Sequence, residues 1–121
     1  MKFEFDNNIP IYIQLVEQLK NHIISGNIKP GERLPSVREL ALQTKVNPNT
    51  MQKALVELEE LSLVYTERTN GKYVTTDTSL INKYKEEYAK SLTEKYFMSM
   101  KSIWFKKEET IKYLKDLGGN K

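Results

Sequence analysis

Apolar residues recur along the first half of the chain at the three- and four-residue steps of helices, broken at short intervals by Gly and Pro. Tyr12, Leu15, Val16, Leu19 and Ile23 fall on one face, with Asn8 placed to cap the helix and Pro10 suited to its first turn. Gly26 is expected to end this helix, because the left-handed closing position suits a residue without Cβ. Lys29-Pro30-Gly31-Glu32 then reads as a turn. Ser36 and Glu39 form a capping box after Leu34-Pro35, so a second helix starts at Ser36 and ends near Thr44, with Val37, Leu40 and Ala41 inward. Asn47-Pro48 opens a third helix, whose buried stripe is Met51, Ala54, Leu55, Leu58 and Leu61.

The pattern then changes. Leu63 to Glu67 and Lys72 to Thr76 are rich in β-branched and aromatic residues, and Asn70-Gly71 between them predicts a tight hairpin turn. From Leu80 to Trp104 there is no Pro or Gly, and Ile81, Tyr84, Tyr88, Leu92, Tyr96, Met100 and Trp104 recur at helical spacing. A short last helix is expected over Lys107 to Leu117, with Glu108 and Glu109 favourable in its first turn and Gly118-Gly119 ending it. The predicted fold is mainly α with a small β-hairpin. Residues 1–78 have the element order of a winged helix-turn-helix, and residues 79–121 form a helical tail.

Once the buried stripes are subtracted, a set of polar side chains remains. Arg38 lies in the first turn of the second helix, pointing away from the core; its bland reading is a solvated charge paired with a neighbouring glutamate. Asn49, Thr50, Gln52 and Lys53 occupy the open face of the third helix's first turns. Their lengths suit base edges and phosphates, and unpaired backbone N–H groups at that end would attract a phosphate. An ordinary polar helix surface is the alternative. Arg68, Asn70 and Lys72 project from the hairpin tip, where a wing meets a minor groove or a backbone. His22 has no carboxylate or second His nearby and reads as a surface residue.

Composition limits the remaining choices. The chain has 121 residues, 29% charged and 39% hydrophobic, as expected of a globular protein. There is no cysteine, one histidine, no Gly-rich phosphate loop and no carboxylate cluster at ligand spacing; Glu57, Glu59 and Glu60 lie mostly on the wet side of their helix. No catalysis, cofactor or metal is expected. The start MKFEFDNN lacks the apolar stretch of a signal peptide, and no long apolar run follows, so a cytoplasmic protein with no membrane association is expected. Net charge is +3, but residues 1–79 hold 9 Lys/Arg against 10 Asp/Glu, and residues 80–121 hold 10 Lys against 6 acids. The N-terminal part is therefore not basic as a whole. Arg33, Arg38, Lys45 and Lys53 nevertheless face only Glu39 in the window from 33 to 53, and phosphate binding depends on charge at the contacting face. Seven of the 12 aromatics lie in the last 42 residues, too short a segment to enclose its own core. Self-association through Ile81, Tyr84, Tyr88, Leu92, Tyr96, Met100 and Trp104 is expected, with fold-back onto the chain's own domain as the alternative. A small-molecule effector between paired tail helices is a further option.

The runs GNIKPGERLPSVRELA and KVNPNTMQKALVELEELSLVYT, with the hairpin NGKYV, resemble the GntR family of bacterial transcription regulators. The N-P-N-T opening and the short helical tail are similar to its YtrA-like subfamily. The likeness is strong over residues 9–76 and looser in the tail. It implies a homodimeric repressor of its own or a transporter operon, binding a pseudo-palindromic double-stranded DNA operator. It would also place DNA contacts at Arg38, Asn47, Asn49, Thr50 and Gln52, and a wing contact at Asn70 and Gly71. Pro48 and Gln52 stand where some members use arginines, so operator preferences do not transfer, and in place of the large C-terminal effector domain of most relatives residues 79–121 are expected to form dimerisation helices. The competing function is a winged-helix module that binds a protein without specific DNA recognition.

Overall fold

A computed structural model describes residues 1–118. The elements are α1 (Ile11–Ile24), α2 (Val37–Thr44), α3 (Pro48–Glu60), β1 (Val64–Glu67), β2 (Gly71–Val74), α4 (Thr78–Ser102) and α5 (Lys107–Gly118). The chain divides into two compact units, Met1–Tyr84 and Lys85 onward. Gly119, expected to help end the last helix, lies outside the described residues.

In the first unit the core forms where the helical stripes meet. Helix α3 packs on α1, α2 and β1. Leu15, Leu19 and Ile23 of α1, Leu40 of α2, and Met51, Leu55 and Leu58 of α3 are fully buried, and Leu63 and Val74 extend that core into the hairpin. Leu61, expected in the stripe, is only half-buried because it already lies past the last turn of α3. The capping box is present as read: Ser36 Oγ accepts the Glu39 N–H at 3.1 Å, and Glu39 Oε1 accepts the Ser36 N–H at 3.3 Å. Gly26 turns with φ 82° and Gly31 with φ 78°, the latter inside the Lys29–Glu32 turn closed by the Glu32 N–H on the Lys29 carbonyl at 3.0 Å.

Several expectations change. Asn8 does not cap α1; Pro10 holds the cap position without a side-chain bond, and the Asn8 N–H is spent on Asp6 Oδ1 at 2.9 Å. The N-terminal residues instead lie extended along α1. Gln14 and Gln18 each pair with both backbone groups of one residue, Asp6 and Glu4, and His22 Nε2 lies 2.7 Å from the Lys2 carbonyl. Four helical residues rise about 6 Å and two extended residues about 6.6 Å, so the two repeats match. His22 is thus half-buried and engaged, also meeting Asn27 at 3.0 Å and the Phe3 ring at 5.1 Å.

The hairpin turn also differs. Glu67 pairs with Gly71, so the loop is Arg68-Thr69-Asn70, and only Gly71 takes positive φ, at 100°. Asn70 therefore does not open a two-residue turn of the expected kind. Residues 31–34 also pair with β2, through an isolated bridge between Arg33 and Tyr73 that the pattern did not reveal: the Leu34 N–H reaches the Lys72 carbonyl at 2.8 Å, and the Val74 N–H reaches that of Glu32 at 2.9 Å.

The tail stripe is divided. Ile81 is buried in the first unit, and the Tyr84 hydroxyl donates to the Leu61 carbonyl at 3.2 Å with the Lys20 ammonium 4.7 Å from its ring centre. These two residues therefore follow the fold-back alternative, and the first unit runs past the expected boundary at residue 78. Helix α4 stops at Ser102, which removes Trp104 from the helical stripe. In the second unit Phe105 meets Tyr113 edge-on at 5.4 Å, and Thr110 is buried with its hydroxyl on the Lys106 carbonyl. Ser36→Ala removes a cap and should lower stability by about 1 kcal/mol, read as a drop of a few degrees in thermal midpoint. An unchanged midpoint would show that the box contributes nothing.

Candidate nucleic-acid interface

The opening of α3 is built by its own sequence. Asn47 Oδ1 accepts the Asn49 N–H at 2.8 Å, the Asn47 carbonyl accepts the Met51 N–H at 3.0 Å, and Pro48 has no N–H to satisfy. Among the described residues this leaves only the Thr50 N–H unpartnered in the first turn. The expected row of unpaired donors is thus reduced to one. Asn47 has committed its oxygen to the cap, so only its NH2 group remains for an outside acceptor. Thr50 is half-buried, whereas Asn49, Gln52 and Lys53 are exposed with no intramolecular hydrogen bond from their side chains. Met51, Ala54 and Leu55, at most 0% exposed, hold the opposite face inward.

The preceding turn sets where α2 stands. Lys45 adopts the left-handed conformation at φ 58°, its N–H bonded to the Ala41 carbonyl, and three residues later α3 is under way. Arg38 is exposed in the first turn of α2, as read. Its expected glutamate partner is absent: the sole ion pair among the described residues is Lys72 with Glu59.

That pair is a correction to the reading of the hairpin. Lys72 does not project from the tip. Its Nζ is held by the Glu59 carboxylate of α3 and by the Thr66 hydroxyl, itself 2.7 Å from the same carboxylate. The Lys72 hydrogen bond keeps the Glu59 carboxyl below the usual range against the opposing effect of burial, with Thr66 helping. Lys72 therefore fastens the wing to α3. Arg68 and Asn70 remain at the exposed tip, and Tyr65 stacks on Tyr73 across the hairpin at 5.7 Å.

Arg33 was missed as a site residue, although its charge was counted. Its guanidinium covers Gly71, whose φ of 100° is what calls for glycine; a Cβ there would lie 3.2 Å from Arg33 Nε, the movable end of an exposed side chain. A cleft of about 300 Å³ brings Arg33, Pro35, Ser36, Arg68 and Thr69 together between the start of α2 and the wing. Only that unrecognised bridge could have signalled this, because it is the pairing of Arg33 with Tyr73 which carries Arg33 to the wing.

Residues 11–74 match the family described as bacterial regulatory proteins, gntR family. The chain belongs to the GntR family. This GntR chain is 35% identical over 115 residues to the uncharacterized HTH-type transcriptional regulator YhcF of Bacillus subtilis, covering 95% of each. It is 46% identical over 68 residues to the transcriptional repressor YtrA of the same organism, covering 56% of this chain and 52% of that one. Among solved structures, a GntR family transcriptional regulator from Listeria monocytogenes superposes with a TM-score of 0.86 at 41% identity, covering 93% of this chain and 98% of that one. The AraR DNA-binding domain, solved in complex with operator ORX1, superposes with a TM-score of 0.56 at 28% identity over 62% of this chain and 96% of that one. The YtrA-like resemblance and the winged fold are both supported by these relatives, and the family consists of transcription regulators, which are not enzymes. No helix among the described residues is long and apolar enough to cross a membrane.

In this GntR chain the wing fastener makes a testable demand. Because Glu59 has a lowered pKa when folded, its contribution to stability is full above the ordinary carboxylate range and fades as pH falls through that lowered value. Glu59→Gln should cost about 1 kcal/mol at neutral pH. The difference from the parent should shrink in acid, measured by urea unfolding at a series of pH values. A difference that stays constant into acid would place the stabilisation elsewhere.

Proposed function

We propose that this GntR regulator is a homodimeric repressor in the cytoplasm that holds the openings of two α3 helices in successive major grooves of a pseudo-palindromic operator, controlling its own or a transporter operon. The observation that carries the reading is the Asn47-capped end of α3, where the side chains of Asn49, Gln52 and Lys53 stand exposed with no intramolecular hydrogen bond while the other face of the helix is sealed in the core. Gln52 and Asn49 have the donor–acceptor amides that read base edges in pairs, and Lys53 supplies charge to a phosphate. Thr50 offers its single unpartnered N–H, and Asn47 its remaining amide hydrogens.

Arg38, unpaired on the neighbouring helix, anchors the backbone or a guanine. Arg68 and Asn70 at the wing tip, with the Gly71 backbone beside them, reach the minor groove, and Arg33 reinforces that edge. Lys72 has no part in contact because Glu59 holds it. In the tail, Tyr88, Leu92, Tyr96 and Met100 supply the dimer face, which sets half-site spacing at about 34–36 Å or a multiple. The DNA-bound AraR domain supports the same use of the first unit.

Arg38→Ala should weaken operator binding by about 1–3 kcal/mol in a mobility-shift titration without lowering the thermal midpoint. Binding should also fall steeply with salt, with a shallower slope for the variant. Parent affinity in Arg38→Ala, or binding indifferent to salt, would remove Arg38 from the interface and favour a protein partner instead.

A further inference from the structure

The turn between α4 and α5 ends on a residue with no local role. Helix α4 closes with the Trp104 N–H on the Lys101 carbonyl at 3.0 Å and the Phe105 N–H on the Met100 carbonyl at 3.1 Å, the hydrogen bonds of a Schellman motif. Trp104 thereby fills, at φ 73°, the left-handed position that glycine usually takes. Its side chain is 93% exposed. A disfavoured backbone, fixed by two hydrogen bonds, thus holds a large apolar group out in water.

The same unit contains a hole. An apolar cleft of about 280 Å³ between α4 and α5 is lined by Tyr96, Phe97, Thr110, Ile111 and Leu114. We propose that Trp104 of one copy seats in the α4–α5 cleft of a second copy, and reciprocally, so that the indole is the anchor of a two-fold dimer. The proposal rests on the dimer reading above. A knob and a hole on one unit are self-complementary, and a two-fold axis uses the pair twice. The cleft also carries Glu94 on its wall, a carboxylate for the lysines that flank the indole, Lys101 and Lys106, to meet. Two reciprocal indoles bury roughly 300–500 Å² of ring surface. The exposed Tyr96, Ile111 and Leu114 that line the cleft extend this toward the roughly 1,200 Å² that a stable interface needs.

Trp104 is the chain's single tryptophan, so its fluorescence reports this site alone. The experiment is a dilution series of the full chain read by sedimentation and tryptophan emission together. Dimer formation should shift emission to shorter wavelength and protect the indole from iodide quenching. Trp104→Gly should raise the dimer dissociation constant at least about 100-fold, as for a central aromatic anchor lost from both halves. The same change should leave the melting of the dilute monomer unchanged or higher, because glycine suits φ 73°. As a second variant, Leu114→Arg should weaken the dimer and keep the indole quenchable. A dimer of parent affinity in Trp104→Gly, or a dimer whose indole stays fully quenchable, would overturn the anchor while leaving the dimer intact. A parent chain that remains a monomer at every concentration would sink the dimer reading itself. A blue shift without a change in mass, or only on vesicles of phosphatidylcholine and phosphatidylserine, would assign the indole to another occupant.

Discussion

The rest of the first unit depends on the burial of one face of α3. Met51, Ala54, Leu55 and Leu58 are wholly removed from water against α1, α2 and β1. Burying the Met51, Leu55 and Leu58 side chains stabilises by about 1.5–3 kcal/mol each, more than a typical single polar contact. Rotating α3 to hide its polar residues would expose this seam, so the positions between the apolar ones have no choice but to face outward. The outward set is therefore a by-product of packing, and its chemistry is open to be used for recognition. Function is written in the residues that the core does not need.

Polar contacts then fix where the ends lie. The Asn47 cap and Pro48 start α3 at a defined residue, and the Ser36–Glu39 box does the same for α2. The wing is attached twice, once by strand pairing with residues 31–34 and once by Lys72 on Glu59. Each attachment consumes groups that could otherwise have met a ligand. Lys72 and the Asn47 oxygen are scaffolding, and the unsatisfied remainder is the surface left to act.

Local signals were legible in the sequence where a few adjacent residues decide the outcome. The capping box, Asn47-Pro48, Gly26 and the helical stripes all depend on neighbours within one or two turns. What the sequence hid depends on distant partners. Nothing in Gly31-Glu32-Arg33-Leu34 alternates like a strand, and the segment pairs only because β2 offers an unpaired edge. Lys72 looked like a tip residue because Glu59, thirteen positions earlier, gave no sign of facing it. Asn8 lost the cap because Asp6 and Gln14 had already organised the segment. Trp104 continued the helical spacing in the sequence, yet the helix ended just before it, and periodicity alone carries no stop signal there. The polar opening of α3 and its Asn47 cap were readable residue by residue, but the use of Arg33 as wing support was not.

The most direct measurement of the central claim is selection of bound duplexes from a random pool, performed with the parent chain and with Gln52→Ala. If the opening of α3 reads bases, the parent should select a two-fold symmetric site. The variant should lose preference at one symmetric pair of positions and keep the rest. Identical selected sites from the two proteins would contradict the account.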